Sequence, residues 1–324
     1  MNISILGGGS WGTALAVHLA GNGYSVKIWE FVEAQAQEMQ KKRECPLLPG
    51  VKLHPKIFVS SDMKEVLTSM DLLLIVVPSD KVESTIEKAC DLIDGTPIII
   101  CSKGFASDLQ LLSDVVAQKL KSHKSKSGSV NPSIYCLYGP THAEEVGRGM
   151  FSGMVLAGGK GKEKLKKVFE SKNFRIDLSD DIVGVQIAAA LKNILAVFVG
   201  VVHGMKLGDN ATAYVMTKGL AEIRQIGLKW GAQEETFDGL AGLGDVIVTC
   251  GSKHSRNRHV GEEIGKGRKL EEVLAEMKMV AEGITTVKEA VKLQKKFGLK
   301  LPLISGLYGI LFEGKDPKEI LRNL

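Results

Sequence analysis

The chain is 324 residues long, with 44% hydrophobic residues, 24% charged residues and a formal net charge of +5, enough for about two domains that each bury a core. This ordinary composition excludes a disordered or fibrous chain, and so small a charge excess, with no clustered basic face, speaks against a nucleic-acid partner. The five cysteines (Cys45, Cys90, Cys101, Cys136, Cys250) form no CxxC pair and no metal-ligand spacing; an odd, scattered set without a signal peptide predicts free thiols, no metal site and a reducing, cytoplasmic setting.

Residues 2–6 read as an apolar strand that begins at the N-terminus, leaving no room for a targeting segment. The strand runs straight into Gly7-x-Gly9-x-x-Gly12, and a helical pattern (Thr13 to Leu19) follows at once. In such a unit the first glycine makes the tight turn, the second admits a pyrophosphate to the backbone, and the third lets helix pack on strand. The phosphates then face free N–H groups at the helix N-terminus. A second strand, 26–29, ends in Glu30, about twenty residues past the glycines, where an acidic side chain accepts the adenosine ribose hydroxyls and repels a 2′-phosphate. These signals predict a dinucleotide site with a preference for NAD over NADP, the alternative for Glu30 being a solvated strand end.

Further strands are predicted at 57–59, 72–77, 97–101 and 134–137, with helical patterns at 32–42, 80–92 and 108–121 between them. Short, continuously apolar strands suit a parallel sheet buried on both faces, and the alternation predicts a doubly wound α/β domain. Strands near 153–157 and 174–178 extend that sheet. The basic, Ser-rich run from Lys119 to Ser129 reads as a solvated loop. From about 181 the pattern is helical, giving an α/β dinucleotide-binding domain over 1–180 and an all-α substrate domain over 181–324. Val183 to Met205 is the longest apolar run, but Lys192-Asn193 at its centre, where a lysine costs about 2.5–3.5 kcal/mol in a membrane, predicts a buried core helix and no membrane span.

Lys192 is the leading candidate for chemistry. Its helical neighbours Ala188, Ala189 and Ala196 are small and leave space beside the amine, and a desolvated amine is a usable proton acceptor near neutrality. The alternatives are a structural ion pair or an amine that snorkels to the surface. Asp245, in Gly239-Leu-Ala-Gly242-Leu-Gly244-Asp245, stands before an apolar run, placed to orient or neutralise Lys192. Ser255-Arg256-Asn257-Arg258 supplies a dense set of donors that suits an anion site, or else a solvated surface loop. Lys103 and the Gly139-Pro-Thr141-His-Ala143 turn follow strands at the carboxyl edge of the sheet, where α/β folds bind ligands, or are ordinary turns. His142 and His203 read as structural.

Taken in order, GGGSWGTALA (7–16), LPG (48–50), VVPS (76–79), SKG (102–104), GPTHAEEV (139–146), ALKN (190–193), GLAGLGD (239–245), SRNR (255–258) and VAEG (280–283) span essentially the whole chain. Together they resemble the NAD(P)-dependent glycerol-3-phosphate dehydrogenases of the soluble two-domain type. The resemblance implies a Rossmann-like domain followed by a helical one, and hydride transfer between sn-glycerol 3-phosphate and dihydroxyacetone phosphate. It implies that Lys192 is the base at the secondary hydroxyl, with Asp245 and Lys103 holding that oxygen and Thr249 adding a hydrogen bond. Asn193, Ser255, Arg256 and Asn257 would bind the substrate, with Arg256 on its phosphate or the cofactor's, and Gly139 and Thr141 would line the same pocket. Gly7, Gly9, Ser10, Trp11, Gly12, Glu30, Lys103, Ala143, Val280 and Glu282 would contact the dinucleotide.

The sequence departs from the common bacterial pattern after Trp29: where many members carry an arginine suited to NADP, it has Glu30-Phe31, and Phe31 is placed to stack on the adenine. NAD is therefore the expected cofactor. Arg43 to Pro49 also carries Cys and Leu where Asn and Tyr are commoner. The rival readings are a β-hydroxyacid or 6-phosphogluconate type dehydrogenase, against which SRNR and GLAGLGD argue, and a non-catalytic NAD sensor, which would be expected to lack Lys192 or Asp245. A homodimer is expected from the apolar content of the helical half, and glycerophospholipid precursor supply or cytosolic redox balance is the expected role.

Overall fold

The computed structural model describes residues 1–124, 132–252, 255–277 and 281–324. The chain divides into two compact units, Met1–Ile182 and Val183–Leu324.

The first unit is built on an eight-stranded sheet of order β3-β2-β1-β4-β5-β6-β7-β8. Its strands are β1 (Asn2–Leu6), β2 (Ser25–Trp29), β3 (Ile57–Ser60), β4 (Leu72–Ile75), β5 (Ile98–Ile100), β6 (Ile134–Tyr138), β7 (Ser152–Gly158) and β8 (Phe174–Ser179). Helices α1 (Ser10–Gly21), α2 (Glu33–Lys42), α3 (Met63–Leu67), α4 (Val82–Ala89), α5 (Leu112–Lys124), α6 (Ala143–Gly147) and α7 (Lys162–Phe169) connect them. Among the described strands every pairing is parallel except β6 with β7. The central strands β4 and β5 are buried at every position, as helices on both faces require, whereas the edge strand β3 alternates. The strand order reverses between β1 and β4, which opens the crevice where ligands of such sheets bind.

One expectation is corrected. Residues 119–124, read as the start of a solvated loop, are the last turns of α5. Leu120 is 1% exposed and anchors the helix to the core, while Lys119 pairs with Glu83 at 3.0 Å on the outer side. The rest of that run lies outside the described residues.

The second unit is helical: α8 (Ile182–Gly204), α9 (Gly208–Lys229), α10 (Asp245–Gly251), α11 (Arg256–Gly265), α12 (Leu270–Glu276), α13 (Glu282–Phe297), α14 (Pro302–Phe312) and α15 (Pro317–Arg322). By length and composition α8 could cross a membrane, but 89% of its most apolar window is buried inside the protein. It is the core helix of this unit, buried from Gly184 to Val202.

Alpha8 and α11 cross with their backbones in contact. A Cβ on Gly200 would strike the Arg258 carbonyl, one on Gly204 that of Glu262, one on Gly261 that of Val197 and one on Gly265 that of Val201. Glycines spaced four apart on both helices permit this approach, and no larger residue fits. Glu222, buried on α9, accepts from the backbone N–H groups of Leu303 and Ile304 at 2.8 and 2.9 Å, and so caps α14.

Candidate functional site

In the first unit the glycine motif sits at the carboxyl ends of β1 and β4. Gly7 has φ +122°, and a Cβ there would lie 2.7 Å from the Val76 carbonyl oxygen. A Cβ on Gly12 would run into the Gly7 carbonyl, so α1 packs directly on the turn. Around Gly9, by contrast, a Cβ would meet nothing within 4 Å. Gly9 is the N-cap of α1 and offers no side-chain cap. The first N–H groups of the helix, Ser10 and Trp11 among them, thus border open space suited to a pyrophosphate. The Trp11 indole N–H is buried and has no hydrogen-bond partner among the described residues.

Glu30, 8% exposed at the end of β2, folds back onto this loop. It accepts from Val32 N–H at 3.0 Å, and a Cβ on Gly8 would lie 2.5 Å from its Oε2. Gly8 is a requirement that the sequence reading missed, although the run of three glycines carried the signal. Burial pushes the Glu30 carboxyl up, and hydrogen bonds from Val32, Gly8 and Gln35 pull the other way. Phe31 is 69% exposed, edge-on to Trp29 with ring centroids 6.0 Å apart. The Lys88 ammonium lies 5.6 Å from the Phe31 ring centroid. The thiol of Cys45, from the divergent segment 43–49, reaches the Gly8 carbonyl at 3.5 Å. An open cradle at Gly9, an uncapped helix start and a carboxylate at the end of β2 fit a dinucleotide.

Farther along the same sheet edge, Lys103, Gly139 and Thr141 come together. The Gly139 carbonyl accepts from Lys103 Nζ and from Thr141 Oγ1, each at 3.2 Å. Gly139 has φ +154°, and a Cβ there would lie 2.9 Å from the Gly153 carbonyl oxygen. Ser102 Oγ donates to the Val77 carbonyl at 2.5 Å, and Tyr138 OH donates to the Ser102 carbonyl at 2.7 Å. These bonds stitch the loops after β4, β5 and β6 into one edge. Ala143 is buried at the start of α6, behind His142 as N-cap.

In the second unit Lys192 donates to Asp245 Oδ1 at 2.5 Å and to Thr249 Oγ1 at 2.6 Å. Both charged side chains are shielded, at 7% and 1% exposure. Thr249 follows Asp245 by one turn of α10, and its hydroxyl lies 3.3 Å from the same carboxylate oxygen. Leu240–Gly244 is a π-helical turn immediately before α10, made possible by Gly242, whose Cβ would collide with the Phe237 carbonyl. It delivers Asp245 inward. Asn193, beside Lys192, is also buried.

The SRNR residues have mixed roles. Ser255 caps α11, accepting from Arg258 N–H at 3.3 Å, and Asn257 Oδ1 accepts from Gly283 N–H at 2.9 Å, tying α11 to the start of α13 beside Glu282. Arg256 is exposed at the first position of α11. Val280, expected at the cofactor, lies outside the described residues. All five cysteines are buried. Burial pushes the Cys101 and Cys136 thiols up and Cys250 to about 12, so these three are not thiolate nucleophiles at neutral pH. Among the described residues no cluster of His, Cys, Asp or Glu could hold a metal ion.

Comparison with known proteins matches residues 2–164 to the N-terminal model, and residues 181–322 to the C-terminal model, of NAD-dependent glycerol-3-phosphate dehydrogenase. The chain is 40% identical to a glycerol-3-phosphate dehydrogenase [NAD(P)+] of Prosthecochloris aestuarii, over 100% of this chain and 97% of the relative. It is 38% identical to that of Bacillus licheniformis, over 99% and 93%. The glycerol-3-phosphate dehydrogenase structure from Coxiella burnetii superposes with a TM-score of 0.92 at 33% identity, covering 99% of this chain and 98% of that one. A ketopantoate reductase structure from Ralstonia eutropha, at 15% identity and a TM-score of 0.61 over 100% of this chain and 99% of that one, shares the fold alone.

Proposed function

The chain belongs to the NAD-dependent glycerol-3-phosphate dehydrogenase family, and on that premise we propose that it interconverts sn-glycerol 3-phosphate and dihydroxyacetone phosphate with NAD(H), NADP(H) being the poorer cofactor. The observation that carries the reading is the Lys192 ammonium, buried and held between Asp245 and Thr249. A family member that only sensed the dinucleotide would have no use for a shielded proton donor on a core helix.

The assignments divide between a dinucleotide-binding domain, residues 1–180, and a helical substrate domain, residues 181–324. In the first, the cofactor's pyrophosphate falls to Gly7, Gly9, Ser10, Trp11 and Gly12, its ribose to Glu30 and its adenine to Phe31, with Lys103 and Ala143 as further contacts. Lys103, Gly139 and Thr141 are assigned to substrate. In the second, Lys192 Nζ donates the proton to the carbonyl oxygen during reduction, or takes it from the hydroxyl during oxidation. Asp245 holds that amine and offsets its charge, and Thr249 fixes its direction. Asn193, Ser255, Arg256 and Asn257 bind the substrate; binding energy from its phosphate, remote from the reacting carbon, serves positioning. Arg256, Val280 and Glu282 are assigned to the cofactor as well. The bound nicotinamide supplies the hydride.

Glu30 at the end of β2 supports the NAD preference, because its carboxylate repels a 2′-phosphate. Supply of a glycerophospholipid precursor, or cytosolic redox balance, is the role that fits this reaction. An odd, scattered set of five buried cysteines supports a cytoplasmic setting. Exposed Leu207, Tyr214 and Leu228 at and along α9 support a homodimer, which light scattering on the purified protein tests. The activity itself is tested by following NADH oxidation with dihydroxyacetone phosphate, with NAD reduction by a β-hydroxyacid as the counter-assay. Turnover of the β-hydroxyacid alone would overturn the reading.

A further inference from the structure

We propose that Arg258 is a positioning residue for substrate phosphate, resting on the function proposed above: it clamps the first turn of α11, with Arg256 and Asn257, to the helices that carry Lys192, Asp245 and Thr249. Arg258 NH1 donates to the Gly251 carbonyl at 2.9 Å, the last residue of α10. Its NH2 lies 2.8 Å from His203 Nδ1, in the last turn of α8. With Nδ1 accepting, His203 Nε2 carries the proton and donates to Thr212 Oγ1 at 3.2 Å, and Thr212 donates to the Gly208 carbonyl at 3.1 Å in the first turn of α9. One guanidinium therefore joins α11 to α10 directly, and to α9 through α8.

The clamp sits where the backbones of α8 and α11 are in contact. The carbonyl of Arg258 itself faces Gly200, and Gly204, Gly261 and Gly265 continue the contact along both helices. That packing fixes the separation of α8 and α11 but leaves rotation and sliding of the α11 N-terminus to polar contacts. The Ser255 and Asn257 side chains serve their own helix and α13, so Arg258 is the SRNR side chain that reaches back to α10, beside the backbone bond from Ser255 N–H to the Ser252 carbonyl at 3.4 Å. A planar fork with fixed donor directions is suited to this, whereas a lysine at the same place could hold only one of the two partners in a defined direction. Loss of the clamp lets Arg256 drift relative to Lys192, and a displacement near 1 Å at a positioning group costs up to about a hundredfold.

The test measures inorganic phosphate binding by calorimetry and steady-state kinetics with dihydroxyacetone phosphate. It compares the parent protein with R258A, R258K and H203A, and R258A is assayed again with added guanidinium. The proposal expects R258A to raise the phosphate Kd and the KM for dihydroxyacetone phosphate roughly ten- to a hundredfold, with a smaller change in kcat and a near-parental Tm. Guanidinium should recover part of the loss, R258K should recover little, and H203A should shift the same two constants by less. Parental constants in R258A would overturn it, as would a loss that follows a lowered Tm and ignores guanidinium. If R258A does not fold, H203A decides: unchanged phosphate affinity there overturns the proposal. A parent that binds phosphate but does not turn over dihydroxyacetone phosphate would sink the proposed activity and leave the Arg258 comparison intact.

Discussion

Lys192 Nζ and Asp245 Oδ1, 53 positions apart in the chain, lie 2.5 Å apart in the interior of the helical unit. A shielded pair of this kind is held by geometry, and removing one partner strands the other's charge. Lys192→Ala should cut kcat by at least the 10²–10⁴-fold typical of a lost general acid–base, while NADH binding, followed by its fluorescence, stays close to parental. Turnover near the parental value in K192A would remove Lys192 from the mechanism.

Asp245→Asn separates the structural role of the pair from its chemical one. The amide keeps the shape but leaves the ammonium without its counter-charge, so about 3–5 kcal/mol of stability should be lost along with activity. Denaturant unfolding of D245N measures this directly. A variant as stable as the parent would mean that the pair is solvated in a way its 1% exposure at Asp245 does not allow.

Much of this arrangement is legible in the sequence, and for identifiable reasons. Gly7, Gly9 and Gly12 are local signals, because a strand, a turn and a helix adjacent in sequence must meet there. The apolar strands β4 and β5 reveal a two-sided sheet by composition alone. Lys192 stands out because a charge inside an apolar helix needs a reason. What stayed hidden depends on pairings between distant segments: the Gly8–Glu30 contact, the Cys45 thiol on the same loop, the glycines of α8 facing those of α11, and Arg258 facing His203. No periodicity within one helix states which other helix will cross it. Nor does the SRNR motif state that the side-chain oxygens of Ser255 and Asn257 also accept from backbone N–H groups.

His18 gives the first unit a pH-dependent stability. Its Nε2 lies 2.6 Å from the Phe169 carbonyl, and its ring packs against Phe174 with centroids 4.3 Å apart. Burial lowers its pKa from 6.5, outweighing the opposing hydrogen bond to Phe169. The depressed folded value means that the unfolded chain takes up the proton first. The stabilising contribution is thus complete well above pH 6.5 and is lost as pH falls from there through the folded pKa. Thermal midpoints should decline across that window, and His18→Gln should flatten the decline. An equal slope in H18Q would assign the effect to other groups.

Glu30 links the cofactor to pH with the opposite starting point. Burial raises its carboxyl above 4.5, so acidification neutralises it sooner than a solvated glutamate. Only the ionised form accepts from both ribose hydroxyls and repels a 2′-phosphate. The ratio of kcat/KM for NADH to that for NADPH should therefore be high at neutral pH and fall as pH drops towards the raised pKa. Glu30→Gln should lower the ratio at every pH and remove its pH dependence, since an amide does not titrate in this range. The assay compares both cofactors with dihydroxyacetone phosphate at fixed ionic strength, because charge repulsion is screened by salt. A ratio that keeps its parental pH dependence in E30Q would place the discrimination elsewhere, and the Lys88–Phe31 contact would be the next site to vary.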